Sequence, residues 1–590
     1  MPPRFPASLI WLALGLTWCV GILGRGYWTP DEPREADIAW RMSWQPAKSV
    51  PLLAGEPFCE KPPLTYWVAG AAIDVLGNDA WAARLPNVLY ALVTALAVGL
   101  IGRRSAGSLA GLVAAAAIST FLLSYQVAIW LATDAPLLAA VAVALWGLYS
   151  GFYAVSSGER LRGYSCMHVA LAVGFLAKSA AAWMVPALTF ITLVVWEKRW
   201  RELLRWELYL GLAFQGVLIL TWVWVVYMGP DGPAHLKVFF WNNLVGRFAH
   251  VDAPEELQYA AAHRNTPGKY FLELPAYLCP WTLLVLAAAR GAWRRRREPF
   301  ERRNVVRFAA SVFVPTLCVL SIAATARNIY LAPALPGAAW LLGWWVADLQ
   351  TAHDRWDLRA VRGTSILLLL SVVVFAAAVL IVGHDSWEGL HARAAYATLS
   401  LLGLSIAAAC SVWSLRAAGK GLLVRALYAL LLAYCALLAG PASQIYRSVD
   451  TWQDLASIGR AVGRDAVDRP MILFAPDETT RAFVDLYASP SVELIPGPVT
   501  PMSTDRLRAR LDDAPRSVVL TQLPGRSESR TMRSLKDWFG LNPRTTTPRP
   551  DPDPTPVWAF DARLRIAHLY ALPNGRRYAL LESDGATASR

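Results

Sequence analysis

Thirteen apolar segments run through this chain, and each is long enough, or nearly long enough, to cross a bilayer as a helix. A transmembrane helix needs about twenty mostly apolar residues. Hydrophobic residues make up 55% of the 590 residues, charged residues only 17%, and the mean hydropathy is +0.36. The sequence therefore predicts a polytopic α-helical membrane protein, with spans at 8–24, 82–101, 106–124, 135–154, 164–178, 180–196, 208–228, 274–291, 307–325, 329–348, 364–383, 393–415 and 421–440.

The basic residues occur in short clusters between these segments. The 56 Lys and Arg exceed the 43 Asp and Glu, but the excess lies at 103–104, 159–162, 197–201, 294–307, 355–362 and 416–420, all on connections that thirteen spans place on one side. Cytoplasmic loops carry such an excess of Lys and Arg. The opposite, outer side then receives a first long loop at 25–81, a second at 229–273 and everything after residue 441. Nucleic-acid binding is excluded because no basic, aromatic-interleaved soluble module is present.

The tail changes composition sharply. Short apolar runs at 471–475 and 517–521 predict buried strands, and the patterns at 480–487 and 504–511 predict helices. Alternating strands and helices indicate a small α/β domain. The sequence thus predicts a membrane domain at 1–441 and a soluble domain at 442–590.

An acidic motif follows the first apolar segment. Asp31 and Glu32 are followed by Arg34 and by a helical pattern at 36–42. A carboxylate held at a membrane interface can act as a general base. A carboxylate at a helix N-terminus is also favoured by the helix dipole alone. The motif by itself leaves both interpretations open.

A second motif lies about thirty residues further on, in Glu60-Lys61-Pro62-Pro63. Glu60 offers an oxygen ligand for a divalent cation, and Lys61 offers a compact positive charge for a phosphate. The two prolines stiffen the segment, which suits a pre-formed site. The alternative is a loop at the membrane edge whose lysine extends to the interface.

Asp134 lies at the outer end of the third and fourth predicted spans. An unpaired carboxylate is costly there, so a partner is expected, and Lys61 and Lys178 are the candidates. Lys178 lies at the outer end of the fifth span, where it could equally be an interfacial anchor.

The second long loop contains three histidines, His235, His250 and His263. One of them could complete a metal site with Glu60, and Arg264 next to His263 could bind a phosphate oxygen. A lone histidine in a polar loop is usually solvated, so the residues alone do not choose among the three.

Taken together, these motifs resemble the bacterial aminoarabinose transferases that modify lipid A, which belong with the protein O-mannosyltransferase-like group of GT-C glycosyltransferases. The resemblance covers roughly residues 8–350. The matching motifs are Trp28-x-x-Asp31-Glu32-x-Arg34, Glu60-Lys61-Pro62-Pro63-x-x-Tyr66-Trp67, Thr133-Asp134, Ala177-Lys178, the aromatic run that ends at Arg247-Phe248, His263-Arg264 and Tyr330-x-x-Pro333. The resemblance implies a GT-C fold of about thirteen transmembrane helices with a C-terminal periplasmic α/β domain.

The resemblance also implies a role for each matching position. Asp31 matches the proposed catalytic carboxylate, Glu60 and His263 match metal ligands, Lys61 matches the phosphate-binding lysine, and Asp134 matches a supporting carboxylate. The divalent metal is expected to be zinc or manganese, because a carboxylate with an imidazole fits either ion.

Six further residues receive roles from their places in these motifs. Arg264, Lys178 and Arg247 are predicted to bind the donor phosphate, and Glu32, Arg34 and Tyr330 to support the site. The sequence departs from the family at Glu35, where a tyrosine is usual, at Asn243-Leu244, where a Glu-His pair is usual, and in a longer stretch between Arg247 and His263. These departures concern the sugar and the acceptor more than the lipid-phosphate chemistry.

The resulting hypothesis is an inverting glycosyltransferase of the bacterial inner membrane, active as a monomer. It would transfer a sugar from an undecaprenyl (polyprenyl) phosphate donor to lipid A, another surface glycan or a protein on the periplasmic side. The alternatives are a lipid or glycan transporter or flippase, which would show paired interrupted helices and polar groups near the midplane, and a receptor that acts through its tail.

Overall fold

The structure is a computed structural model of the chain. It describes residues 7–247, 267–296, 304–323, 327–351, 353–383, 390–467, 469–488, 492–497, 499–523 and 563–583. These residues form two compact units. The membrane unit comprises 1–24, 42–51 and 57–448, and the C-terminal unit comprises 25–41, 52–56 and 449–590.

The structure is mostly helical. The helices are α1 (Ala7–Ile22), α2 (Glu32–Trp44), α3 (Leu64–Leu76), α4 (Ala80–Ala106), α5 (Ser108–Thr120), α6 (Leu122–Ile129), α7 (Asp134–Phe152), α8 (Ser157–Lys178), α9 (Ala181–Glu197), α10 (Trp206–Tyr227), α11 (Gly232–Leu236), α12 (Lys269–Tyr277), α13 (Thr282–Arg294), α14 (Asn304–Ile322), α15 (Leu335–Asp348), α16 (Arg355–Gly383), α17 (Leu390–Gly419), α18 (Leu423–Leu437), α19 (Ser443–Asp450), α20 (Leu455–Asp465), α21 (Glu478–Tyr487) and α22 (Pro501–Asp513). The strands are β1 (Leu52–Leu53), β2 (Glu56–Pro57), β3 (Met471–Phe474), β4 (Val492–Ile495), β5 (Val518–Leu523), β6 (Leu564–Ala571) and β7 (Arg577–Ser583). Short 3₁₀ or π segments cover Trp200–Leu204, Lys237–Leu244, Val245–Arg247, Asn328–Ala334, Leu438–Ala442 and Thr451–Gln453.

Among the described residues, eight helices are long and apolar enough to cross a membrane. The number rises to as many as ten if each of two bent pairs forms one span, α5 with α6 (66° bend) and α12 with α13 (110° bend). Three shorter apolar helices, α1, α3 and α9, add to these. Every apolar segment predicted from the sequence overlaps a helix, which confirms a polytopic helical membrane protein, while the count of thirteen spans stays a prediction.

Helix α7 lies at the centre of the membrane unit, where 83% of its most apolar stretch is buried. It packs against α4, α8 and α9. A Cβ on Gly147 would lie 2.5 Å from the backbone nitrogen of Met167, and a Cβ on Gly163 would lie 2.3 Å from that of Gly151. Small residues of this kind let helix backbones approach closely in membranes. The close packing of α7 on α8 fixes the first residue of α7, Asp134, relative to the last residue of α8, Lys178.

The C-terminal unit is built on a five-stranded mixed sheet. The strand order is β4-β3-β5-β7-β6, in which β3 pairs in parallel with β4 and β5, and β7 pairs antiparallel with β5 and β6. Alternate side chains of a strand point to opposite faces. Accordingly, Met471 and Leu473 pack with α20 and α21 on one face, whereas Ile472 and Phe474 pack with α22 on the other. This is an α/β arrangement of three layers.

Two segments of the first long loop belong to this C-terminal unit. Residues 25–41 and 52–56 group with 449–590, although the sequence assigned them to the membrane domain with the rest of 1–441. The grouping has a polar origin, because hydrogen bonds and ion pairs join 25–41 to residues beyond 449.

Candidate active site

Asp31 immediately precedes helix α2, and its backbone carbonyl accepts a hydrogen bond from the Glu35 amide at 3.1 Å. Its side chain retains 18% exposure. The neighbouring Glu32 is fully buried and forms a salt bridge with Arg25 at 2.6 Å, with side-chain exposures of 0% and 1%. Glu32 also accepts the backbone N–H of Trp28 at 2.9 Å. The two adjacent carboxylates therefore have different surroundings: Glu32, the first residue of α2, is buried in its ion pair with Arg25, and Asp31 remains partly exposed.

Arg34 contacts three carboxylates in the C-terminal unit. Its guanidinium lies 3.4 Å from Asp31, 3.1 Å from Glu35 and 2.5 Å from Glu478. Glu35, which replaces the tyrosine usual in the resembling family, is buried with 1% side-chain exposure. Arg34 thus contacts Asp31 directly and links it to a residue far along the chain, while its supporting role stays a prediction.

Asp134, Lys178 and Tyr330 come together in the membrane unit. The Lys178 ammonium lies 2.5 Å from an Asp134 carboxylate oxygen, with side-chain exposures of 15% and 8%. The same ammonium lies 4.9 Å from the centroid of the Tyr330 ring. Of the two candidate partners for Asp134, the structure selects Lys178. A lysine with a carboxylate and an aromatic face beside it is better fixed than a lysine that only extends to an interface.

The Glu60-Lys61 segment precedes helix α3, and both side chains are partly exposed. The backbone carbonyl of Glu60 accepts a hydrogen bond from the buried side-chain amide of Asn243. Asn243 lies in the π-helical segment 237–244, and π-helical turns are frequent at functional sites. Asn243, which the sequence identified only as a departure from the family, therefore positions the segment that carries the predicted metal ligand.

An aromatic cluster joins this segment to the end of α8. Its buried core contains Phe175, Trp222 and Phe239, and Cys59 and Trp67 pack against it. Burial raises the pKa of the Cys59 thiol to about 11, so this thiol is protonated at neutral pH and packs as an apolar side chain. Because Cys59 adjoins Glu60 and Phe175 lies one helical turn before Lys178, the cluster fixes both lysine-bearing segments on one scaffold.

The predicted metal site is only partly within the described residues. Among those residues, no group of three or more His, Cys, Asp and Glu side chains is arranged to hold a metal ion. His263, Arg264 and His250 lie outside the described residues, and so does the side chain of Arg247. Glu60 is described, and a partly exposed carboxylate with a fixed backbone suits an oxygen ligand.

Sequence reasoning missed the residues that hold the Asp31 segment. These are Asp450, Gln453, Glu478, Thr479 and Asp485, all of the C-terminal unit. Each looks like an ordinary surface residue in the sequence. One signal was present in the sequence. Arg34 and Arg41 are as far apart as Glu478 and Asp485, and the two pairs of residues carry opposite charges.

The chain matches a family model at residues 60–227, and that family is described as dolichyl-phosphate-mannose-protein mannosyltransferase. The matched stretch contains Glu60, Lys61, Asp134 and Lys178. The chain is therefore similar to a class of membrane glycosyltransferases, as the sequence motifs predict.

The particular relatives are arabinosyl transferases. An undecaprenyl phosphate-alpha-4-amino-4-deoxy-L-arabinose arabinosyl transferase of Pseudomonas paraeruginosa is 29% identical over 373 residues, which are 63% of this chain and 64% of that protein. The protein of the same name in Pseudomonas aeruginosa is 29% identical over 345 residues, 58% of this chain and 60% of that one. The matched part thus spans less than two thirds of these relatives' length. The resemblance drawn from the motifs is confirmed.

The solved structure of ArnT from Cupriavidus metallidurans shares the fold. The chain matches its apo state with a TM-score of 0.69 at 17% identity, and its undecaprenyl phosphate-bound state with a TM-score of 0.71 at 16% identity. In both comparisons 97% of each chain is covered. This confirms the predicted GT-C fold of a multi-pass membrane protein.

Proposed function

We propose that this chain is a glycosyltransferase that moves a sugar from an undecaprenyl phosphate donor to an acceptor outside the cytoplasm. The observation that carries the proposal is the Lys178 ammonium, held by Asp134 at 2.5 Å and lying over Tyr330, on the aromatic scaffold that also positions Glu60 and Lys61. A lysine fixed in this way, with a second lysine on the segment that the same scaffold positions, suits a phosphate group on an apolar chain. The curated relatives, whose names specify an undecaprenyl phosphate-linked sugar, support this donor class.

The sugar we propose is 4-amino-4-deoxy-L-arabinose, and the acceptor is lipid A. The relatives carry the name of this sugar, and the motifs resemble enzymes that modify lipid A. We place the enzyme in the bacterial inner membrane as a monomer. The C-terminal unit would lie in the periplasm, because the basic clusters lie on the connections that belong to the other side of the membrane.

The reaction is a displacement at the anomeric carbon. The bond between that carbon and the phosphate oxygen of the donor breaks, and a bond to the acceptor oxygen forms with inversion. Asp31 takes the acceptor proton or orients the acceptor, and the departing undecaprenyl phosphate keeps the electron pair. Lys61, Lys178, Arg247 and Arg264 would stabilise the charge gained by that phosphate, which is the larger contribution in a pre-organised site.

A divalent cation, zinc or manganese, would add to this stabilisation. Glu60 and His263 would hold it, because a carboxylate and an imidazole suit either ion. If both residues bind one ion, Glu60→Gln and His263→Ala should each abolish the same bound metal, and the double variant should be scarcely worse than either. Lys61→Met should keep the metal and lose donor binding. Metal analysis of the purified variants checks this, and full occupancy in His263→Ala would assign the ligand to another histidine.

The experiment that tests the function is mass spectrometry of lipid A and surface glycans from cells with and without the gene. Wild-type cells should contain lipid A heavier by one aminoarabinose, and complementation with the Asp31→Asn variant should not restore it. A mass change on another glycan would keep the transferase and reassign the acceptor. No change on any lipid or glycan would contradict the proposal and favour a transporter.

A further inference from the structure

The residues on either side of Asp31 are held by hydrogen bonds from the C-terminal part of the chain. Gln453 accepts the backbone N–H of Thr29 at 3.1 Å and its hydroxyl at 2.7 Å. The Thr479 hydroxyl donates to the backbone carbonyl of Pro30 at 3.1 Å. The backbone immediately before Asp31 is therefore fixed by residues more than four hundred positions later.

The indole of Trp28 extends the same attachment. Its N–H donates to Asp450 at 2.7 Å, and the backbone N–H of Gly26 donates to the same carboxylate oxygen at 2.8 Å. Trp28 is the first residue of the acidic motif, so the motif is held from its beginning.

Two ion pairs fix the segment after Asp31. Arg34 pairs with Glu478 at 2.5 Å, and Arg41 forms a two-pronged pair with Asp485 at 2.7 and 2.5 Å. Both pairs join residues 444 positions apart, so the order of the two arginines along α2 matches the order of their partners along α21. A seven-residue spacing is about two helical turns, which places both arginines of α2 on the face toward α21.

The first of these pairs acts directly on the proposed base. The Arg34 guanidinium is shared among Asp31, Glu35 and Glu478, and Glu478 lies nearest to it. The other charged pair beside Asp31 joins Arg25 to Glu32 at 2.6 Å, and Glu32 also accepts the backbone N–H of Trp28 at 2.9 Å. Glu478 thus sets how much of the Arg34 charge falls on the Asp31 carboxylate.

We propose that Glu478 is a positioning residue for Asp31, acting through Arg34. This inference rests on the proposed function, which takes Asp31 as the base. Without the negative charge of Glu478, Arg34 pairs more closely with Asp31 and Glu35 and stabilises the ionised carboxylate. A carboxylate so held is a weaker base.

The test uses Glu478→Gln in the full-length protein, with Glu493→Gln as its matched control. Glu493 is also 44% exposed and is paired with an arginine, Arg510, at 2.6 Å. Transfer from undecaprenyl phosphate-aminoarabinose to lipid A is measured against pH. Glu478→Gln should lower kcat about threefold with little change in the KM for the donor, and it should shift the acid limb of kcat to lower pH. Glu493→Gln should match the wild type.

Two further variants separate positioning from general stability. If Glu478 acts only through Arg34, then Arg34→Gln and the Arg34→Gln, Glu478→Gln double variant should have equal rates. Thr479→Val keeps the side-chain shape and removes the hydrogen bond to Pro30, so it should lower kcat without moving the acid limb. Additive losses in the double variant would overturn the route through Arg34.

Hydrogen exchange gives a readout that needs no substrate. Peptides covering residues 29–41 should exchange faster in Glu478→Gln than in the wild type or Glu493→Gln. Unchanged exchange together with an unchanged pH profile overturns the inference, even if Asp31→Asn is inactive. Full activity of Asp31→Asn would instead overturn the assignment of the base, and exchange would then still show whether Glu478 holds the segment.

Discussion

Asp31 and Glu32 are adjacent carboxylates, and the structure predicts opposite results when each is replaced by its amide. Glu32 is paired with Arg25 at 2.6 Å, and neither side chain has more than 1% exposure. Removing one partner of a buried pair leaves an uncompensated charge and costs about 3–5 kcal/mol. Since whole proteins are stable by only about 5–15 kcal/mol, Glu32→Gln should lower the stability of the C-terminal unit severely.

Asp31→Asn should instead keep the fold and lose the reaction. The Asp31 side chain is 18% exposed, and Arg34 retains Glu35 at 3.1 Å and Glu478 at 2.5 Å when the Asp31 charge is removed. The loss of stability should therefore be within about 1 kcal/mol, as for a partly exposed pair. Transfer should fall by at least about 10²-fold, the usual contribution of a general base.

The assay compares both variants in parallel. Thermal unfolding in detergent, monitored by limited proteolysis of the C-terminal unit, measures stability. The rate of transfer per folded molecule measures activity. Unfolding of Glu32→Gln at the wild-type temperature would contradict the importance of the buried pair, and near-normal turnover of Asp31→Asn would contradict the role of Asp31 as the base. In the second case Asp31 is a helix-end carboxylate and nothing more.

Three further predictions follow from other parts of the chain. Lys178→Met should destabilise the membrane unit by about 3–5 kcal/mol because it leaves Asp134 buried without its ion pair. Adding Asp134→Asn should restore much of the lost stability in a detergent unfolding assay, while donor binding stays impaired. Burial and the neighbouring Asp485 raise the pKa of Asp37 well above its usual range. The contribution of this carboxyl to stability is therefore complete below its unfolded-state pKa and is lost as the pH rises through its folded-state pKa. When unfolding is measured against pH, Asp37→Asn should show less of this loss of stability. A reporter fused after residue 445 should be active only outside the cytoplasm, and activity inside would show that a span is miscounted.

The membrane helices could be predicted because their signal is local. A run of about twenty apolar residues specifies a span whatever its neighbours are, so every predicted segment overlaps a helix. The exact number of spans does not follow in the same way. The predicted span at 164–178 lies within a longer helix, α8, which also includes Glu159, Arg160 and Arg162 of the predicted connection, and the bent pair α12 and α13 turns by 110°.

The pair formed by Asp134 and Lys178 was half predictable. The cost of a lone carboxylate near a membrane requires a partner, but the sequence offered both Lys61 and Lys178. The choice depends on the close packing of α7 on α8, which in turn depends on Gly147 and Gly163. Glycines at such positions mark close helix approach only once the helix partners are known.

The attachment of the Asp31 segment to the C-terminal unit could not be predicted residue by residue. Asp450, Gln453 and Glu478 are polar residues in a polar part of the sequence, and most such residues are solvated. Their partners lie 422 to 444 positions earlier in the chain. Strand β6 was missed because it is largely exposed and shows no clear apolar alternation. Strands β4 and β7 were missed as well, although β7 is mostly buried.

A base in a polar loop needs rigid support, because a group that acts on a proton must be held within a fraction of an ångström of its productive position. In the membrane unit, apolar and aromatic packing provides that support for the two lysine segments. Residues 25–35 contain few large apolar side chains, so their support must come from buried ion pairs and hydrogen bonds. Such contacts carry charge as well as rigidity. The orientation of Asp31 therefore depends on residues of the C-terminal unit such as Glu478, which are distinct from the lysines proposed to bind the donor phosphate.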